Sequence, residues 1–173
     1  MKIGLNIFPT DKAISPIELA KEAEKRGFES LWFPEHSHIP TSRETPWGGD
    51  SSLPPLPEMY WRTIDQFIAL SAVAASTRSI KIGTGITLVA QRDPIWLAKE
   101  VASLDYISNG RLFFGVGYGW CVEEMRNHGV KYSQRREILR EKILLMKELW
   151  SRDEAKFIGS IYRLEKSWAW PKP

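Results

Sequence analysis

Three short stretches hold the residues that could do chemistry. The first is Pro34-Glu35-His36-Ser37-His38. A histidine titrates near neutral pH and can both donate and accept a proton, so His36 is an acid/base candidate. Glu35 beside it is expected to orient the ring or to accept bonds from a ligand. His36 and His38 are two residues apart, but no nearby cysteine or third histidine completes a ligand set, so no metal is expected. The second stretch is Gly83-Thr84-Gly85-Ile86-Thr87, where glycine within a strand marks a bulge or a close approach of ligand to backbone. The third is Gly115-Val116-Gly117-Tyr118-Gly119-Trp120. Its glycines also invite close approach, but their spacing departs from a dinucleotide fingerprint, and no such loop follows the first strand. Cys121 has no implied histidine partner and is not expected to be a nucleophile. Glu123 and Glu124 open a short helix, where acids suit the N-terminal dipole.

The elements that must carry these stretches alternate. Ile3, Leu5 and Ile7 read as one face of a buried first strand. A helix follows. Ser15 and Glu18 suit a capping box, Pro16 the first helical position and Gly27 a left-handed stop. Ser30 to Phe33 is a short second strand ended by Pro34. Residues 37–61 hold Pro40, Pro46, Pro54, Pro55 and Pro57, and form a loop of a length that compact domains reserve for function. Residues 62–77 are patterned as a helix and Ile80 to Thr87 as a third strand. Asp93-Pro94 opens a helix over 94–108 and Asn109-Gly110 closes it. Arg111 to Val116 is a fourth strand. Leu139, Ile143, Met146 and Trp150 mark a helix over 133–150, with Ser133 as its cap. A hairpin follows, 156–158 and 161–163 around Gly159-Ser160. Trp32, Trp96 and Trp150, at strand and helix spacing, are expected in the core.

Strands alternating with helices predict right-handed βαβ units and a parallel sheet, as an open doubly wound sheet or a (β/α)8 barrel. Both place ligands at the carboxyl ends of the strands, where the three stretches lie. The chain has 173 residues and a net charge of +3 with both signs interspersed, too mild to imply nucleic acid. One cysteine excludes an internal disulfide framework. No signal-like or membrane-spanning apolar run is present, so a cytoplasmic protein is expected.

Taken in order, several motifs resemble the luciferase-like monooxygenase family, most closely the branch dependent on the deazaflavin coenzyme F420. They are 31–40 with Thr45-Pro46-Trp47, 82–86, Gln91-Arg92-Asp93-Pro94 with Ala98-Lys99-Glu100, Ser108-Asn109-Gly110-Arg111, 115–120, and Trp168-Ala169-Trp170-Pro171-Lys172-Pro173. The resemblance implies a (β/α)8 barrel with coenzyme F420, or alternatively FMN, at its carboxyl face. It implies Glu35 and His36 as the catalytic acid–histidine pair, with a non-proline cis peptide at Gly85-Ile86 behind the ring. Thr87 belongs with that bulge, and Gly117, Tyr118, Gly119, Trp120 and Glu123 match the segment lining cofactor and substrate. Some relatives carry Glu where Trp120 stands and Asn where Glu123 stands. The implied reaction is hydride transfer to or from a small organic substrate, with residues 37–61 as a lid.

A barrel of this kind takes about 250 residues. Residues 1–173 therefore read as the N-terminal portion of one barrel domain: four βα units and a hairpin. Two strand edges left unpaired predict a homo-oligomer. The competing readings are an FMN-dependent monooxygenase and a non-catalytic half-barrel serving binding or assembly.

Overall fold

A computed structural model describes residues 1–173. Four strands, β1 (Gly4–Asn6), β2 (Ser30–Phe33), β3 (Lys81–Leu88) and β4 (Leu112–Gly117), form one parallel sheet in the order β1-β2-β3-β4. Between them run α1 (Pro16–Lys25), α2 (Gln66–Ser76) and α3 (Pro94–Ser108). After β4 come α4 (Val122–Asn127) and α5 (Arg135–Ser151), then an antiparallel hairpin of β5 (Ala155–Ile158) and β6 (Arg163–Ser167). No helix is long and apolar enough to cross a membrane.

The register divides the sheet into two chemistries. Leu5, Leu31, Ile82 and Leu112 are aligned across the four strands and pack with Leu70, Leu97 and Leu145 of the helices. Fully burying each such side chain contributes about 1.5–3 kcal/mol. One residue on, Asn6, Trp32, Gly83 and Phe113 are aligned, and alternation turns them to the opposite face. Trp32 stacks on Phe113 with centroids 5.7 Å apart and lies flat over Gly83, where a Cβ would come within 2.3 Å of its ring. Trp32 thus lines the inner wall of the incipient barrel, while Trp150 joins the helix-side core and donates from Nε1 to Ala98 O. Trp96 departs from expectation. It is 70% exposed, because α3 points it away from the sheet.

The helix punctuation holds in most places. Ser15 Oγ accepts from the Glu18 N–H, but the Glu18 carboxylate bonds the Ser15 hydroxyl instead of completing the box through the backbone. Gly27 has φ 76°, and Asn109 at φ 58° closes α3. Asp65 caps α2, so that helix starts at Gln66 and Ile64 precedes it. Ser133 does not cap α5: residues 132–134 form a 3₁₀ turn and the helix begins at Arg135. The hairpin turn is longer than Gly159-Ser160. The Glu141 carboxylate accepts N–H groups from Ser160, Ile161 and Tyr162, which delays β6 to Arg163. The first strand is short and open, with Leu5 half-buried and Ile3 and Ile7 exposed.

Buried Arg111 locks the amino end of β4. Its guanidinium donates to Ala74 O, Thr77 O, Thr77 Oγ1, Ile80 O and Ser108 O. At the other end of the sheet, the β3–β4 register shifts between Thr84 and Thr87, and the Gly85–Ile86 peptide in that bulge is cis.

Candidate active site

The carboxyl ends of the four strands converge on a cavity of about 500 Å³. The β1 end supplies Asn6 and Phe8, the β2 end Glu35 and His36, the β3 bulge Gly85 and Ile86, and the turn after β4 Gly119 and Trp120. Met59 and Tyr60, from the long loop, close one side. The Tyr60 ring bridges the site, 4.7 Å from Phe8, 5.3 Å from His36 and 6.3 Å from Trp120.

His36 is buried in this wall. Its Nδ1 lies 2.9 Å from Glu124 Oε2, and the two side chains are 5% and 1% exposed. The second oxygen of Glu124 accepts from the Ser37 N–H at 3.0 Å and the Ser37 hydroxyl at 3.3 Å. Burial alone pushes the Glu124 carboxyl upward. The hydrogen bond and charge of His36, with the Ser37 N–H, outweigh it and hold the group below the usual carboxylate range. Ser37 Oγ also lies 2.9 Å from His38 Nδ1 and 2.7 Å from His128 Nε2. Two of the chain's three histidines therefore meet at Ser37, and the third reaches it through Glu124.

Glu35 does not orient the ring. Its Oε2 accepts from the Leu88 N–H and its Oε1 from Arg92 Nε, each at 2.6 Å. Arg92 reaches on to Asp65 and Glu100. Glu35 thus ties the β2 end to the segment after β3. Together with His36 it also borders a second, polar cavity of about 360 Å³ that includes Gln66, Gln91 and His128.

Of the other residues singled out by sequence, Gly85, Ile86, Gly119 and Trp120 line the main cavity. Thr87 is buried behind it and donates to Gln66 Oε1 at 2.7 Å. Gly117 sits beneath Ile86, where a Cβ would fall 1.8 Å from Ile86 Cδ1. Tyr118 turns to Arg135 and Arg136, whose guanidinium carbons lie 5.0 and 5.7 Å from its ring centroid. Glu123 faces the loop instead of the cavity, accepting the N–H groups of Glu44 at 3.0 Å and Thr45 at 3.1 Å. Burial raises its carboxyl, but those bonds overcome this and bring it down to about 2. Cys121 is fully buried and burial pushes its thiol up, which disfavours a thiolate.

Sequence reasoning missed Glu124, Tyr60, Met59 and Asn6. Met59 and Tyr60 fall in a loop stretch with no periodicity to read. Glu124 is separated from His36 by 88 positions and looks like one of two dipole-complementing acids.

Residues 11–173 match the family described as luciferase-like monooxygenase. The chain belongs to that family. It is 43% identical to an uncharacterised protein of Mycobacterium tuberculosis, over 100% of this chain and 61% of that one. It is 30% identical to an F420-dependent glucose-6-phosphate dehydrogenase of Amycolatopsis mediterranei, over 91% of this chain and 44% of that one. Among solved structures, the monooxygenase RslO1 of Streptomyces bottropensis superposes with a TM-score of 0.82 at 26% identity, covering 99% of this chain and 50% of that one. The fold is that of the family's TIM barrel, and the chain spans about half the length of such relatives.

Proposed function

We propose that residues 1–173 carry the acid/base part of a deazaflavin-dependent oxidoreductase site. The observation that carries this reading is a buried histidine at a strand's carboxyl end. Its Nδ1 is engaged by an ionised carboxylate, and its Nε2 has no protein partner beside a largely apolar cavity. Such a nitrogen can take a proton from a substrate hydroxyl, or return one to a carbonyl oxygen. The family's F420-dependent dehydrogenase relative supports the same class.

The residues present suit a flat heteroaromatic group. Ile86 is 39% exposed on the cavity floor, Gly85 leaves its backbone bare there, and Trp120 and Phe8 give apolar walls. Gly85 and Ile86 would back the ring, and Asn6 would offer an amide to its polar edge. When bound, a deazaflavin supplies a two-electron hydride donor or acceptor. The chain's own share is the proton at His36 and the exclusion of water by Tyr60 and Met59. The substrate on this reading is a small organic alcohol or carbonyl compound.

An FMN-dependent monooxygenase is the second reading; the structural match to the monooxygenase RslO1 favours its reaction class. Calorimetric titration of the protein with coenzyme F420 and with FMN decides between them. Saturable binding of F420 alone is the expected result; FMN alone establishes the second reading, and binding of neither leaves a binding or assembly module. With cofactor bound, His36→Ala is expected to keep affinity within about threefold and lower turnover by roughly 10²–10⁴-fold. Undiminished turnover removes His36 from the chemistry.

A further inference from the structure

We infer that Glu124 is the positioning residue of His36, fixing its proton on Nδ1 and leaving Nε2 as the basic atom toward the cavity. The inference rests on the acid/base reading of His36 given above and deepens it.

An ionised carboxylate only accepts hydrogen bonds, so the 2.9 Å contact from His36 Nδ1 to Glu124 Oε2 requires the proton on Nδ1. A neutral imidazole carries one N–H, and Nε2 is then left with its lone pair. The carboxylate cannot swing away, because its other oxygen is held by the Ser37 N–H and hydroxyl. Both side chains are removed from water, which strengthens the contact and its directionality. When Nε2 takes a proton, the new imidazolium charge lies against the Glu124 carboxylate and is stabilised there. Glu35 is not available for this role, since each of its oxygens is bonded elsewhere.

Ser37 turns this arrangement into a sharp test. Its backbone N–H can only donate. In Glu124→Gln the side-chain oxygen must therefore face Ser37, and the new amide N–H₂ must face His36 Nδ1. That geometry forces the imidazole proton onto Nε2, the unproductive tautomer, in a variant of nearly unchanged shape.

The experiment is ¹⁵N NMR of the histidine rings in the full chain without cofactor. Only three ring systems contribute, and His38→Gln and His128→Gln assign them. In the parent chain, neutral His36 is expected to show a protonated, pyrrole-type Nδ1 and a pyridine-type Nε2. Glu124→Gln should reverse the two signatures, and Glu35→Gln should leave them as in the parent. A parent chain protonated at Nε2 overturns the inference, whatever the variants do. So does a folded Glu124→Gln that keeps its proton on Nδ1. With cofactor bound, Glu124→Gln is expected to lose about 10²–10⁴-fold in turnover with little change in KM. Reversal of the tautomer with full turnover would confirm the positioning contact and refute the acid/base reading of His36 instead.

Discussion

At the scale of single residues, three glutamates near the site do three different things, and chain adjacency is a poor guide to which. Glu35 and His36 are neighbours just beyond β2, yet their side chains take separate partners. The ring finds Glu124 on α4, and Glu35 finds Leu88 and Arg92 behind it. The role of Glu35 is accordingly structural. In Glu35→Gln one amide face must oppose either the Leu88 N–H or the Arg92 guanidinium, so a donor loses its acceptor. The expected cost is about 2 kcal/mol. For a chain of this length that is a fall in Tm of roughly 4–8 °C, read by calorimetry. An unchanged Tm would mean that Arg92 is adequately held by Asp65 and Glu100 alone. The histidine at the strand end was legible in the sequence, because the strand-end rule singles out such positions. Its true partner was not, since nothing local distinguishes Glu124 from Glu123.

At the scale of elements, carboxylates clasp loops. Glu24 on α1 accepts the N–H groups of Arg78, Ser79 and Ile80 ahead of β3. Glu123 on α4 holds Glu44 and Thr45 of the long loop, and Glu141 on α5 holds the β5–β6 turn. Burial pushes Glu24 and Glu123 upward, but the donated N–H groups win and bring each down to about 2. For Glu141 the Ser160 hydroxyl leads, followed by backbone N–H groups, again down to about 2. Each folded value is below the ordinary 4.5. Their stabilisation is therefore complete above the unfolded value, and it is lost as pH falls from about 4.5 through about 2. The Tm measured between pH 5 and pH 2.5 should fall steeply, and the fall should be shallower in Glu24→Gln, which no longer titrates there. Parallel slopes would remove Glu24 from the linkage. Glu123→Gln at neutral pH should speed amide exchange at 43–47 and leave the sheet protected. Helix ends marked by a local signal, such as Ser15-Pro16, Asp93-Pro94 and Asn109-Gly110, could be read from sequence. The clasps could not, because each joins a helix to a loop distant along the chain, and Glu141 is what moves the start of β6.

At the scale of the whole molecule, the four parallel strands follow from the alternation of elements, but the order β1-β2-β3-β4 does not, because right-handed crossovers equally allow the 3-2-1-4 order of a doubly wound sheet. Nor does alternation reveal which apolar residues remain uncovered. On the inner side of the sheet Phe113 is 43% and Ile86 39% exposed, and β1 and β4 each have a strand on one flank only. Outside, Ile68 and Trp96 of α2 and α3 are each 70% exposed. Unpaired edges beside apolar surface favour pairing with another chain. The 173-residue chain is therefore expected to self-associate, seen as a sedimentation coefficient that rises with concentration in the micromolar range. The sheet edge and the helix face are separable as causes. Val116, 38% exposed on the edge strand β4, lies on the helix-facing side with its register partner Thr87 but outside the packed core cluster, so Val116→Lys adds a charge beside the free edge. If the edge drives association, Val116→Lys shifts the chain toward monomer and Trp96→Glu does not. The opposite pattern assigns association to the α2–α3 face. A parent chain that sediments as a monomer throughout overturns both, and would mean that the exposed inner wall, with Trp32 stacked on Phe113 over Gly83, is solvated stably enough to stand alone.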